Sequence, residues 1–476
     1  MSNKFYITTP IYYVNDVPHI GHTCTTITAD IIARYHKLLG QEVFFLTGTD
    51  EHGAKVAQAS QKAGVSPQEF CDKVSKNFSN AWEKLNIKYD YFIRTTNPEH
   101  EKIVQEIIQK IYEKGDIYKG HYEGLYCVGC ERFVTETELI EGCCPLHPKT
   151  ELQKQSEENY FFRLSKYAPL LIEAVENSDN QNHYLISPKS KKEEVLSKLK
   201  AGVNDISISR ANVSWGIPIP WDKSQTIYVW FDALLNYYSA LKINKKEAFW
   251  PADLHLIGKE ILWFHTAIWE AMLLSAEISV PKEIFAHSFY MIDGQKMSKS
   301  LGNVISPNEL VEKFGIDGTR YLIASSFPYD KDSDVSWEKF TQKYNSDLAN
   351  GLGNLVARVA KLAENYNLEF ESEFKETSLT KEVAIKMEKF DVSGALEFIK
   401  ESIAGIDKYI DRERPWESES QAKKALSEII VQGQTVNTIR EIAHVLQPFM
   451  PETAKEIIKR FSGTKVKSGP SLFPRI

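Results

Sequence analysis

The first fifty residues impose the tightest constraint on the fold, because they read as strand, turn, helix, strand. Lys4 to Thr8 (KFYIT) has the β-branched and aromatic enrichment of a strand, and Thr9 to Pro18 carries the Pro, Asn and Asp of a turn. From Thr25 the residues Ile27, Ile31, Tyr35, Leu38 and Leu39 recur at helical spacing until Gly40 stops the pattern. Glu42 to Leu46 (EVFFL) is then a short, continuously apolar strand of the buried type. Two such strands joined by a crossover helix predict a parallel sheet with right-handed connections, hence an α/β fold.

A chain of 476 residues has room for two to four domains. After a helical stretch from Pro98 to Lys114, Tyr118 to His147 turns Gly-, Tyr- and Cys-rich and cannot continue a doubly wound sheet, which predicts an inserted domain. Strand-like runs return at Thr226 to Phe231 (TIYVWF) and Leu254 to Ile257 (LHLI), so the sheet is expected to resume near Ile217. From Gln342 onward Gly and Pro thin out and helical patterns dominate, as in Asn350 to Leu362, Ala395 to Ile410 and Ala422 to Val445, predicting an all-α C-terminal domain. No stretch approaches the roughly 18 uncharged apolar residues of a membrane helix, and the start lacks a signal peptide's layout. The expectation is a cytoplasmic protein without membrane partners. A net charge of −7 argues against coating nucleic acid through bulk charge, while a local basic face can still capture one structured polyanion.

Two motifs carry phosphate chemistry. Pro18-His19-Ile20-Gly21-His22 lies between the first strand and its helix, where unpaired backbone N–H groups and the dipole favour an anion. Two imidazoles there can donate to phosphate oxygens, and Gly21 allows a ligand to approach the backbone. Asp293-Gly294-Gln295-Lys296-Met297-Ser298-Lys299-Ser300 is a polar loop whose two lysines can close over a polyphosphate and offset the charge of its departure. Taken alone, the first motif reads equally as a capped helix start and the second as a solvated basic turn. No Walker A pattern occurs.

Together, in this order, they resemble the two signatures of class I aminoacyl-tRNA synthetases. Thr8-Thr9-Pro10-Ile11-Tyr12-Tyr13-Val14-Asn15, Thr47-Gly48-Thr49-Asp50-Glu51-His52-Gly53, Tyr228-Val229-Trp230-Phe231-Asp232-Ala233-Leu234 and Leu256-Ile257-Gly258-Lys259-Glu260 resemble the methionyl branch of that family, over essentially the whole chain. The resemblance implies a split Rossmann-type catalytic domain (1–115 and 217–285), a connective insertion with a zinc knuckle (116–216), a linking segment with the lysine loop (286–345) and an α-helical anticodon-binding bundle (346–476). It implies an enzyme that joins methionine to ATP, which enters with magnesium, releases pyrophosphate and passes the methionyl group to the 3'-terminal adenosine of tRNA(Met). The alternatives are another class I synthetase such as the cysteinyl enzyme, or a tRNA-binding protein without catalysis. The chain stops at Phe473-Pro474-Arg475-Ile476, from which a monomer is expected, or a dimer should a C-terminal extension exist.

Four of the six cysteines fall in one short segment, which in a long chain points to metal before disulfides. Cys127-Val128-Gly129-Cys130 and Cys144-Pro145-Leu146-His147 are two ligand pairs separated by thirteen residues, matching one tetrahedral zinc shell. Cys143 competes with Cys144, but only Cys144 completes C-x-x-H. Four filled positions make the zinc structural rather than catalytic.

By motif position the resemblance implies that His19, Gly21, His22, Lys296, Ser298 and Lys299 handle ATP. Asp50 would hold the methionine ammonium. Ile11, Tyr13, Trp230, Ala233, Leu234, Tyr237, Ile261 and His265 would line the side-chain pocket, with Leu234 standing where some relatives carry proline. Asn354 and Arg358, four apart and so on one helix face, would meet the anticodon together with Trp416. For Trp416 a packing anchor between helices is the competing reading.

Overall fold

The computed structural model describes residues 3–14, 17–127, 132–134, 139–140, 142–145, 148, 150–296, 304–371 and 378–476. Its centre is a six-stranded sheet in the order Tyr91–Arg94, Glu42–Asp50, Lys4–Tyr13, Leu254–Gly258, Glu283–His287 and Leu185–Ser187. Every neighbouring pair is parallel. The strand order reverses between Lys4–Tyr13 and Leu254–Gly258, which are paired through Ile7 with Leu254 and Thr8 with His255. In open parallel sheets ligands bind outside the carboxyl ends of the strands at such a switch point.

Successive side chains of a strand point to opposite faces. Phe5, Ile7 and Phe45 enter one core with the first helix, Ile20–Leu38, and that core runs on without a break into the C-terminal helices as far as Phe473. Tyr6, Phe44 and Leu46 enter the other core, with the helix Pro98–Glu113 and the segment around Trp269. Gly48 is required where two strands nearly touch, because a Cβ there would lie 2.0 Å from the Ile93 carbonyl oxygen.

Four sequence expectations change. The first strand does not give way to a turn after Thr8, since Ile11, Tyr12 and Tyr13 pair with Gly48, Thr49 and Asp50 and carry it to Tyr13. The run TIYVWF is not a strand of the main sheet. Asp222–Ile227 pairs antiparallel in a separate three-stranded sheet, and Val229–Ala233 is helical, since Asp232 is drawn inward by buried histidines. The main sheet takes a strand before Ile217, because Leu185–Ser187 pairs with Glu283, Ile284 and Phe285 at its edge. The span Ala422 to Val445 is not one helix. Gly433 adopts the left-handed conformation (φ 62°), the Glu428 carboxylate takes the amides of Thr435 and Val436, and Thr438 caps a new helix, Ile439–Leu446.

Candidate active site

The first strand ends at Tyr13 beside Asp50, the last residue of its neighbour, and the first helix begins at Ile20. His19 is the N-cap of that helix. Its Nδ1 accepts from the Gly21 amide at 3.1 Å, while His22 Nδ1 accepts from the His19 amide at 3.4 Å, so the two rings close a reciprocal capping box. The rings stack with centroids 3.8 Å apart. Burial and then the neighbouring His19 hold the His22 pKa well below its ordinary value, so His22 is neutral. With its Nδ1 used as an acceptor, the neutral His22 ring carries its proton on Nε2, and the His19 ring, whose Nδ1 accepts as well, presents an Nε2–H beside it. The helix start thus carries two Nε2–H donors side by side at its positive end, an arrangement fitted to phosphate oxygens.

Asp50 is 9% exposed at the strand end. Behind it, His52 Nδ1 lies 2.6 Å from Asp232 Oδ2, and His100 Nε2 lies 2.8 Å from Asp232 Oδ1, with His100 Nδ1 2.6 Å from Ser239 Oγ. Burial works against a charged His52, but the Asp232 charge and hydrogen bond, Glu101 and the Asp50 charge outweigh it and raise the pKa to about 10. Asp232 is likewise held below the usual carboxylate range by both imidazoles, against the opposing effect of burial. His52 is therefore an imidazolium, one side of a buried ion pair. Beside it the buried Glu51 carboxylate takes Arg94 Nε at 2.7 Å and Nη2 at 2.9 Å.

The residues expected to line the side-chain pocket come from three separate segments. Ile11, Tyr13, Trp230 and Ile261 are half-buried, and Ala233, Leu234, Tyr237 and His265 are buried. Trp230 stacks on Phe264 with ring centroids 3.9 Å apart and stands edge-on to His265. Phe264 and His265 open a wide, π-type helical turn, Phe264–Trp269, a feature common at functional sites. His265 Nδ1 must donate to the Ile261 carbonyl at 3.0 Å, and burial lowers its pKa to about 4, so its Nε2 accepts from the Tyr237 hydroxyl at 2.7 Å. Trp230, Phe264, Tyr237 and His265 thus form one aromatic group with two fixed polar contacts at its buried end.

Of the lysine loop, Gln295–Lys296 forms a short strand against Met291 and Ile292, and the Lys296 side chain is not described. Ser298 and Lys299 lie outside the described residues, as do Cys130 and His147. Cys127 and Cys144 are both buried in one small cluster with Val134, whereas Cys143 is half-buried and bridges Ile140 through its backbone. Among the described residues no group of three or more His, Cys, Asp or Glu side chains is arranged to hold a metal, and no helix is long and apolar enough to cross a membrane.

On the helical domain Asn354 is exposed, and Arg358 lies one turn on along the helix Asn354–Asn365. The Arg358 guanidinium is 5.2 Å from the centre of the Trp416 ring and 2.7 Å from Asp411 Oδ1. Trp416 remains 46% exposed, which leaves much of its surface for a ligand to cover.

Sequence reasoning missed Phe264, His100 and the roles of His52 and Asp232. The last two stand inside the quoted Thr-Asp-Glu-His-Gly and Phe-Asp-Ala segments, and a histidine beside an acidic motif was the available signal.

A family model described as tRNA synthetases class I (M) matches residues 5–155 and 146–360. A methionine–tRNA ligase of Thermotoga maritima is 43% identical over 479 residues, spanning 96% of this chain and 75% of its own length. One from a Nostoc species is 41% identical and is covered over 89% of its length. The structure of Mycobacterium tuberculosis methionyl-tRNA synthetase bound by methionyl-adenylate superposes with a TM-score of 0.89 at 35% identity, covering 99% of this chain and 100% of that one. The chain belongs to the methionyl-tRNA synthetase family of class I tRNA synthetases.

Proposed function

We propose that the chain activates methionine with ATP to methionyl-adenylate, releasing pyrophosphate, and transfers the methionyl group to the 3'-terminal adenosine of tRNA(Met). The observation that carries this reading is the paired Nε2–H donors of His19 and His22 at a helix start that follows the strand at the sheet's switch point, whose neighbouring strand ends in Asp50. In this reading His19, His22 and the Gly21 backbone bind ATP phosphates, and Lys296, Ser298 and Lys299 act on the departing pyrophosphate. Asp50 binds the ammonium, while Ile11, Tyr13, Trp230, Ala233, Leu234, Tyr237, Ile261 and His265 select the side chain. Held donors of this kind act on charge that develops in the transition state, where they count most.

Residues 1–115 and 217–285, with the edge strand Leu185–Ser187, make the catalytic fold, the rest of 116–216 the insertion, 286–345 the link and 346–476 the anticodon-binding helices. The shared burial of Cys127 and Cys144 supports a structural zinc held by those two with Cys130 and His147, which would supply folding energy to a segment with little core of its own. The pairing of Arg358 with the exposed Trp416 supports a surface on which an unstacked anticodon base is received, with Asn354 alongside.

The test is ATP–pyrophosphate exchange with methionine, cysteine or no amino acid. Exchange with methionine alone is expected. Exchange with cysteine, or none at all, overturns the reading.

A further inference from the structure

The helical segment Pro307–Ser325, which follows the lysine loop and is broken at Gly315 (φ 71°), carries a fully buried arginine in its second half. Arg320 Nε donates to the Phe449 carbonyl at 2.9 Å, Nη1 to the Leu85 carbonyl at 3.3 Å and Nη2 to the Pro448 carbonyl at 3.0 Å. Nη2 also meets Asp30 Oδ2 at 2.7 Å. Asp30 is itself buried and belongs to the first helix, eleven residues beyond His19. It accepts in addition from Arg34 Nε at 2.7 Å and the Lys88 amide at 2.8 Å. Pro448 and Phe449 form the turn that leads into the helix Pro451–Phe461 of the C-terminal domain. One turn before Arg320, Asp317 Oδ2 accepts the Thr453 amide of that same helix start at 2.6 Å. The amino end of the first helix is held by the residue just before the Ser306 cap of Pro307–Ser325, since the Ile20 amide donates to the Ile305 carbonyl at 3.1 Å.

We propose that Arg320, with Asp317, is a positioning residue for tRNA charging, a strut that fixes the helix bearing His19 and His22 at a set distance and angle from the helical domain. The proposal rests on the reading above, in which one end of the molecule performs the chemistry and the helical domain receives the anticodon. Adenylate formation needs only the sheet-borne site. Transfer needs the 3' end of a tRNA whose anticodon is held elsewhere to arrive within reacting distance, and a misplacement of about 1 Å can cost about a hundredfold in such a step. A planar guanidinium spans four acceptors from three segments, whereas a lysine ammonium keeps the charge opposite Asp30 but cannot bridge them all.

The experiment uses the full chain with Arg320→Lys and, separately, the milder Asp317→Ala. Each is assayed well below its own melting temperature for methionine-dependent exchange and for charging of a tRNA bearing CAU. Exchange is expected within about twofold of wild type. The kcat for charging is expected to fall at least tenfold in Arg320→Lys and severalfold in Asp317→Ala, with KM for tRNA changed less than threefold because Asn354, Arg358 and Trp416 are untouched. A merely structural arginine predicts that exchange and charging fall together, and that outcome, or unimpaired charging in both variants, overturns the proposal. A wild-type chain that performs no exchange sinks the functional reading itself. One that charges regardless of anticodon sinks the assignment of the helical face, and the strut with it.

Discussion

Replacing Asp232 with Asn removes the anion from a buried pair while leaving its shape. His52 has a pKa of about 10 against an ordinary 6.5. At 1.36 kcal/mol per unit that difference is worth about 5 kcal/mol. Removing one member of a buried pair independently suggests about 3–5 kcal/mol. We expect Asp232→Asn to cost about 3–5 kcal/mol at pH 7, read by urea unfolding followed through tryptophan fluorescence. The sign follows from linkage. A histidine whose folded pKa is raised contributes stability that is fully present below its unfolded value of 6.5 and is lost as pH rises through about 10. Asp232, whose folded pKa is lowered, contributes stability that is present above its unfolded value of 3.8 and is lost as pH falls through the folded one. The difference between wild type and variant should therefore be largest between these limits and shrink towards either. Because tyrosines, lysines and cysteines also titrate on the alkaline side, the difference curve and not the wild-type curve is the measurement. A variant within about 1 kcal/mol of wild type, with a flat difference curve from pH 4 to 10, would refute the ion pair.

Glu270 is fully buried with no hydrogen-bond partner among the described residues for either carboxylate oxygen, and burial holds its pKa well above the ordinary 4.5. Glu270→Met should stabilise the fold by about 1–3 kcal/mol, with a gain that grows as pH rises above 4.5, because a carboxyl with a raised folded pKa costs stability in that direction. Metal analysis should find about one zinc per chain, lost in Cys144→Ala and kept in Cys143→Ala; the reverse pattern would exchange the two ligands. Trp416→Ala should leave exchange intact and lower kcat/KM for CAU-bearing tRNA by about 1–3 kcal/mol of stacking energy, against a stability loss of about 0.5–1 kcal/mol from the contact with Arg358. A large fall in melting temperature with unchanged anticodon discrimination would make it a packing residue.

What was legible in the sequence was what short spacing encodes. The His19–His22 helix start, the beginnings of the opening strands and the helix after Pro98 lie where local pattern put them, because each is specified by residues a few positions apart; the strands' continuations to Tyr13 and Asp50 depend on their pairing with each other. The tautomers of those histidines were not legible, since they depend on which backbone amide reaches which nitrogen. The Asp232 cluster was hidden for a different reason. Its partners His52 and His100 lie 180 and 132 residues away, and that long-range pull also turned an apolar, strand-like run into a helical turn. The break at Gly433 was readable in principle from Gly-Gln-Thr-Val-Asn-Thr, but helical periodicity on both sides masked it.

The switch point at the centre of the sheet has a consequence during synthesis. The first strand finds its second neighbour only when Leu254–Gly258 has been made, as the bond between Thr8 and His255 spans 247 residues. At about 5–20 residues per second a ribosome takes about 12–50 s to cover that interval. Throughout it, Lys4–Tyr13 presents one open, largely apolar edge, beside which the catalytic cleft cannot yet exist. Of the strand pairings in this sheet, the one that creates the ligand crevice thus leaves the nascent chain exposed for longest, and the half-sheet from Lys4 to Arg94 is the species that a holding chaperone would meet.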